Sequence, residues 1–339
     1  MGPECYGKVG LLIKRPSPQL NDDCFRFETR PLPETLAEGT VLVKNHHYSM
    51  DPTHFIWTQE IPQYMPAVGL NTVMRCLTLG EIVKSADEEK FPVGQVVSVF
   101  GGLAEYSVIP FAGVNPTAPG APVEMNLGPF SLIQGHTAWV GHKILNIKPG
   151  QTVVVSGAAG AVGSMAAQLC KIAGARVIGI AGGPEKCAYV TSLGIDGCVD
   201  YKAGTEKGLD ELCPDGIDGF FDNVGGPVLD AVVARMNVFG NIAICGGISQ
   251  YEGSMNGTGH GFKNIEMLLM RRLTMQGFVV VDHLASVGEA MGEIGAGIQN
   301  GTIKWRGDVR DGTIEDYVKT VNLLLTGGNN GKLILRTSV

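Results

Sequence analysis

The feature that most restricts the fold of this chain is residues 151–183, QTVVVSGAAGAVGSMAAQLCKIAGARVIGIAGG. Residues 152–156 are a β-branched apolar run of strand length, ended by glycine. In the following G-A-A-G-A-V-G, Gly157, Gly160 and Gly163 are spaced for a tight turn, a close backbone approach and a closely packed helix start, with Ala159, Ala161 and Val162 between them. Alanines with Met165, Gln168, Leu169 and Lys171 then recur at helical spacing to Ala173, and residues 175–181 read as a second buried strand. A glycine triplet alone is a weak signal, because such turns also join strands to helices with no ligand. Here a whole strand–turn–helix–strand unit surrounds it, which is the context that makes the turn a phosphate cradle for a dinucleotide.

The chain on either side has two characters. Residues 9–14, 25–29, 40–46, 79–84, 96–100 and 106–109 read as short strands between Pro, Gly and Asn/Asp turns, so about the first 115 residues form a compact, barrel-like β domain. Residues 55–74 gather Trp57, Tyr64, Met65 and prolines without a period, as an irregular loop that could wall an apolar pocket. After a helix at 136–145, strands at 198–200, 219–223, 241–245 and 274–281 alternate with helices at 184–193, 227–236, 264–272 and 284–299. That alternation predicts an open, mostly parallel sheet covered on both faces, with its ligand outside the carboxyl ends of the strands. Segments 157–163, 181–186, 223–226 and 246–251 should therefore converge on one crevice. The fold class is α/β, with a β domain at 1–120 completed by 304–339 and a doubly wound parallel-sheet domain at 121–303.

The chain has 339 residues, 44% apolar and 17% charged, enough for two cores and no disorder. A net charge of -7 gives no basic footprint for nucleic acid or an anionic membrane, so the expected partner is a small molecule. No apolar run reaches the ~18 residues of a membrane span, and eight scattered cysteines without a C-x-x-C pair fit reduced core thiols in a cytoplasmic protein. Residues 277–281 read as an outer strand of the sheet, an edge that invites pairing into a homodimer.

NAD-binding sheets usually end their second strand in Asp or Glu, which binds the ribose and repels a 2'-phosphate. Here that strand runs into Gly182, Gly183, Pro184, Glu185 and Lys186; small residues leave space and Lys186 supplies a cation, which specifies NADP. No metal is expected. No Gly-His-Glu run follows Asp51, there is no four-cysteine cluster, and His46 and His47, adjacent on a strand, should point to opposite faces as structural histidines.

The chain resembles the medium-chain dehydrogenase/reductase superfamily, and within it the zinc-independent alkenal/one double-bond reductases and prostaglandin reductases. The resemblance is carried by VVVSGAAGAVGSMAAQLCKIAGARVIGIAGGPEK from Val153, DGIDGFFDNVGG from Asp215 and ICGGISQY from Ile244, and more weakly by GFVVVDH, GTIKWRGDV and GGNNGK. It implies a GroES-like β-barrel domain with a Rossmann domain inserted near its end, and NADPH-dependent reduction of a double bond conjugated to a carbonyl. It implies that Tyr251, in I-S-Q-Y, donates a hydrogen bond and a proton. It further implies cofactor contacts at Lys186, Tyr201, Asn223 and Asn329, with Cys245, Gly246 and Ser249 in the same strand-end segment as Tyr251 and Phe278 and Val279 on the adjacent strand. Tyr48, Trp57, Tyr64 and Met65 come from the expected substrate wall. The family commonly reads D-P-Y-M-R where this chain has Asp51-Pro52-Thr53-His54-Phe55, and L-I-Q-G-H-T-A-W is compressed before Thr137; both departures bear on the substrate. The expected reaction sends hydride to the β-carbon of an activated alkene, with the enolate stabilised by Tyr251. The competing readings are a quinone reductase of the neighbouring zinc-free branch and a non-catalytic NADPH-binding structural protein.

Overall fold

The computed structural model describes residues 3–17, 20–251 and 259–338. The chain forms two compact units, Met1–Leu127 with Gly307–Val339, and Gly128–Arg306.

In the first unit, strands Glu4–Leu12, Phe25–Arg30, Thr40–Ser49, Thr78–Ser85, Val96–Val99 and Ala104–Pro110 are joined antiparallel. Alternate residues of Thr40–Ser49 face one core, where Val41 and Val43 pack with Ile82, Val97, Val99 and Ile109. The end of the chain enters this sheet, since Lys332–Thr337 pairs antiparallel with Thr40–Ser49 and parallel with Gly307–Gly312. A buried ion pair fastens it. Lys332 Nζ donates to Asp51 Oδ1 and to the Met50 carbonyl, each at 2.8 Å, and Ser49 Oγ donates to Asp51 Oδ2. The two charged side chains are 1% and 2% exposed.

Two local expectations fail in this unit. The ladder between Thr40–Ser49 and Thr78–Ser85 shifts register between Asn45 and His47. That bulge cancels the alternation, so the two imidazoles meet with Nδ1 atoms 2.5 Å apart instead of facing opposite ways. His47 Nε2 also has no hydrogen-bond partner, so His47 is not the satisfied structural histidine expected. In addition, Thr53–Trp57, the start of the expected irregular loop, is a short helix that follows Pro52, a residue that suits a helix start.

The second unit supplies the labelled elements. They are α1 (Thr137–Ile144), β1 (Thr152–Ser156), α2 (Ala161–Ile172), β2 (Arg176–Ala181), α3 (Pro184–Ser192), β3 (Gly197–Asp200), α4 (Tyr201–Leu212), β4 (Ile217–Asp222), α5 (Gly226–Val233), β5 (Met236–Ile244), α6 (Glu266–Met270), β6 (Thr274–Gly277) and α7 (Val287–Gln299). The strands form a six-stranded sheet in the order β3-β2-β1-β4-β5-β6, every pair parallel. Each face is buried, as the near-continuous apolar strands require. Val153 and Val155 pack with Trp139, Met165 and Leu169 on one side, while Val154 packs with Ile178, Phe220 and Val232 on the other.

Boundaries differ where local sequence misleads. Met236, expected at a helix end, starts β5; the strand kinks at Phe239, whose φ is +64°, and shifts register against β4, so M-N-V-F-G-N reads as a turn. The expected strand at 274–281 stops at Gly277. Phe278 N–H still reaches the Ile244 carbonyl at 3.4 Å, but β5 ends there, and Val280–Ser286 turns into a 3-10 helix before α7. A π-helical turn, Leu132–His136, leads into α1, so the helix expected from residue 136 is preceded by a helical turn that was not expected.

Candidate functional site

The turn after β1 has the geometry its glycines predict. Gly157 adopts φ +61°, and its carbonyl accepts the Gly160 N–H at 2.9 Å. A Cβ on Gly163 would lie 2.3 Å from that same carbonyl oxygen, so only glycine lets α2 begin this close to the turn. Ala158 N–H bonds the Ile180 carbonyl and ties the turn to β2, while Ala159 is buried beneath it. Gly160 precedes α2 and no side chain caps the helix, so Ala161, Val162 and Gly163 present first-turn N–H groups at the positive end of a twelve-residue helix. That is a fit for a pyrophosphate.

Beside it, one buried carboxylate organises the ends of β1, β4 and β5. Asp222 Oδ1 accepts from Ser156 Oγ at 2.7 Å, Val224 N–H at 2.9 Å and Gly225 N–H at 3.0 Å. Burial raises the Asp222 pKa and these donors oppose the rise. Asn223 is held from both sides, its N–H on Ser156 Oγ and its side-chain amide on the Ser156 carbonyl. The Asp222 carbonyl accepts the N–H groups of Cys245 and Gly246, folding the chain leaving β5 over the end of β4. Burial and the nearby Asp222 carboxylate push the Cys245 thiol up to about 12, so it is a packed thiol and no nucleophile at neutral pH.

The next turn closes the group. Ser249 Oγ donates to the Val224 carbonyl at 2.7 Å, and Tyr251 Oη accepts the Gly247 N–H at 3.1 Å. Asn223, Cys245, Gly246, Ser249 and Tyr251 are thus brought together at adjacent strand ends. Sequence reading missed Ser156 and Asp222, although both lie in the motifs S-G and D-N-V-G-G.

At the end of β2, Gly182 and Tyr201 are in contact; a Cβ on Gly182 would meet the Tyr201 ring at 2.6 Å. Asp200 Oδ1 accepts the Gly183 N–H at 2.8 Å and the Lys202 N–H at 3.0 Å, fixing the loop that leads into α3. Lys186 stands in the first turn of α3, where its charge adds to the positive end of the helix. Phe278 packs edge-on against Phe221 at 6.3 Å between ring centres, with Val279 next to it at the start of the 3-10 segment.

The expected substrate wall belongs to the first unit. Tyr48 is completely buried and donates its hydroxyl to the Ala104 carbonyl at 2.9 Å; Trp57 is also core, 3% exposed, and Arg75 sits over its ring at 5.1 Å. Both therefore pack the domain interior in this structure. Tyr64 is 41% exposed and Met65 half-buried. Asn329 is in the first unit too, its side-chain amide on the Gly331 carbonyl.

A six-stranded parallel sheet with a glycine turn and an uncapped helix start at the carboxyl end of its first strand is the arrangement of a dinucleotide-binding domain. Residues 8–116 match the N-terminal domain of oxidoreductase family and residues 161–294 the zinc-binding dehydrogenase family. The NADPH-dependent curcumin reductase of Escherichia coli (strain K12) is 32% identical over 341 residues, covering 97% of this chain and 96% of its own. The NADP(+)-dependent 2-alkenal reductase of Nicotiana tabacum is 32% identical over 316 residues, 89% of each chain. The crystal structure of CurA from Vibrio vulnificus in complex with NADPH has a TM-score of 0.91 at 32% identity, covering 98% of this chain and all of the other.

The chain belongs to the medium-chain dehydrogenase/reductase family, in its NADP-dependent alkenal, curcumin and prostaglandin reductase branch, with a GroES-like β domain and a Rossmann domain. It is an NADP-dependent oxidoreductase of the carbon–carbon double-bond reductase type. The zinc in one family description finds no matching donors, because no three His, Cys, Asp or Glu side chains cluster among the described residues. No helix of the described residues is long and apolar enough to cross a membrane.

Proposed function

We propose that this chain reduces the double bond of α,β-unsaturated aldehydes and ketones, with Tyr251 as the donor to the carbonyl oxygen. NADPH, when bound, supplies the hydride that reaches the β-carbon. The glycine turn and the start of α2 hold its pyrophosphate, Lys186 with Tyr201 its 2'-phosphate, and Asn223, Cys245, Gly246, Ser249, Phe278, Val279 and Asn329 line the rest of its path. Charge that develops on the substrate oxygen needs a donor, and a phenol can meet it without a metal.

The observation that carries the reading is the Tyr251 hydroxyl, fixed 3.1 Å from Gly247 N–H at the end of β5, next to the loop that holds Asn223. Accepting that N–H orients the phenol and strengthens it as a donor. The resulting enolate takes its α-proton from Tyr251 or water. Tyr64 and Met65 are proposed for the substrate side, Tyr64 the more accessible of the two, while Tyr48 and Trp57 stay in the domain interior. Tyr251→Phe should lower kcat for an enone about a hundred- to a thousandfold with NADPH binding retained; unchanged turnover refutes the donor role.

We also infer a homodimer. β6 is the outer strand of its sheet, and Phe239, Leu269 and Met270 near that edge are 68%, 74% and 61% exposed. Light scattering at twice the chain mass supports it, and a monomer overturns it. Eight free thiols support a reducing, cytoplasmic location, to be checked by fractionation.

A further inference from the structure

A polar chain runs from the body of α5 to the turn that carries Tyr251. Asp230, 7% exposed, accepts His260 Nε2–H on Oδ2 at 2.6 Å. Its other oxygen accepts the N–H groups of Lys263 and Asn264 at 3.0 and 3.3 Å, and its carbonyl accepts the Asn264 side-chain amide at 2.9 Å. A carboxylate only accepts, so the imidazole is held with its proton on Nε2. His260 N–H in turn donates to Gln250 Oε1 at 2.7 Å, and Gln250 Nε2 donates to Ser249 Oγ at 2.8 Å. Ser249 Oγ ends the chain on the Val224 carbonyl. A Cβ on Gly226 would lie 2.3 Å from Gln250 Nε2, so the first residue of α5 must be small for Gln250 to lie there.

We propose that Asp230 is a positioning residue for the reaction: acting through His260 and Gln250, it fixes the 248–251 turn and with it the Tyr251 hydroxyl. The turn is a single 3-10 step, Ile248–Gln250, with no side-chain cap of its own. Its main-chain bonds reach back to Asn223 and Val224, which secures its near side. Its far side is secured by the Gln250–His260–Asp230 link. The buried end of that link sits on the helix that directly follows the D-N-V-G-G loop, so one element references both the Asn223 loop and the turn that carries Tyr251. This role rests on the Tyr251 reading above for its effect on turnover, and on geometry alone for its effect on the turn.

Asp230→Asn keeps the shape and weakens the acceptor, and His260→Ala removes the imidazole–Asp230 bond while leaving the main-chain N–H of residue 260 on Gln250 and α5 unaltered. Both should lower kcat for an enone about ten- to a hundredfold while the NADPH Kd stays within about twofold, because a small misplacement of a reacting group costs rate. His260→Gln, which can present its amide N–H where Nε2 stands, should recover most of the loss. In Asp230→Asn/Tyr251→Phe the rate should fall no further than in Tyr251→Phe alone. Hydrogen exchange of the 247–251 amides should quicken in both single variants while 153–155 stay protected. The proposal is overturned by full kcat in both single variants, by a Kd loss that matches the kcat loss, by His260→Gln failing like His260→Ala, or by unchanged exchange at 247–251. If Tyr251→Phe itself turns over normally, the donor reading fails while the exchange result still decides the role of Asp230.

Discussion

At the scale of single residues, the proposed 2'-phosphate contact rests on Lys186. A lysine in the first turn of a helix adds charge to an already positive end, an arrangement that suits a phosphate dianion. Asp200, at the end of the neighbouring strand β3, serves two backbone N–H groups and so acts as a loop fastener. Lys186→Ala should weaken NADPH about ten- to a hundredfold, the worth of a charge-assisted contact, and leave NADH nearly unchanged in fluorescence titrations. Equal losses for both would remove the assignment. Lys186 was legible because its place is set by a short count from the strand end. The work of Asp222 was not, since its partner Ser156 lies 66 positions away and that contact exists only once β1 and β4 pair.

At the scale of elements, sequence period told strand from helix wherever an element was regular. β1 and α2 could be read because a continuous apolar run and then helical spacing go uninterrupted. The His46–His47 contact could not, because a bulge is one extra residue in a ladder whose partner strand is remote in sequence. The end of β6 could not either, because it is decided by where β5 stops. The last strand, Lys332–Thr337, is held by a charge pair sealed from water. Breaking such a pair strands a buried charge, so Lys332→Met should cost about 3–5 kcal/mol in denaturant unfolding, and the double variant Lys332→Met/Asp51→Leu should recover much of it. A neutral outcome for the single variant would contradict the role given to this pair.

At the scale of the whole molecule, three partly or fully desolvated histidines tie stability to pH. Desolvation lowers His47, His54 and His142 to about 4 from an ordinary 6.5. Each binds its proton more weakly folded than unfolded, so the unfolded state gains protons first as pH falls. Stability should therefore be level above about pH 6.5 and decline toward pH 4, by at most about 1.4 kcal/mol per pH unit for each histidine. Asp51, with its pKa lowered chiefly by Lys332 against the cost of burial, adds loss in the same direction at lower pH. Denaturant titrations at pH 7.5 and 5 check this, and equal midpoints would contradict it. The two-domain plan was legible from the change between short strands and strand–helix alternation. The substrate wall was less so, because Tyr48 on the strand Thr40–Ser49 and Trp57 at the end of the short helix Thr53–Trp57 are aromatics whose burial depends on the packed domain.

In the proposed reaction, hydride goes to the β-carbon of a conjugated alkene. The direct measurement is an incubation of the protein with an enone and NADPH carrying deuterium at the transferable position, followed by NMR of the product. The expected product is the saturated ketone with deuterium on the β-carbon. An allylic alcohol with deuterium on the carbonyl carbon, or turnover with quinones and none with the enone, would contradict it.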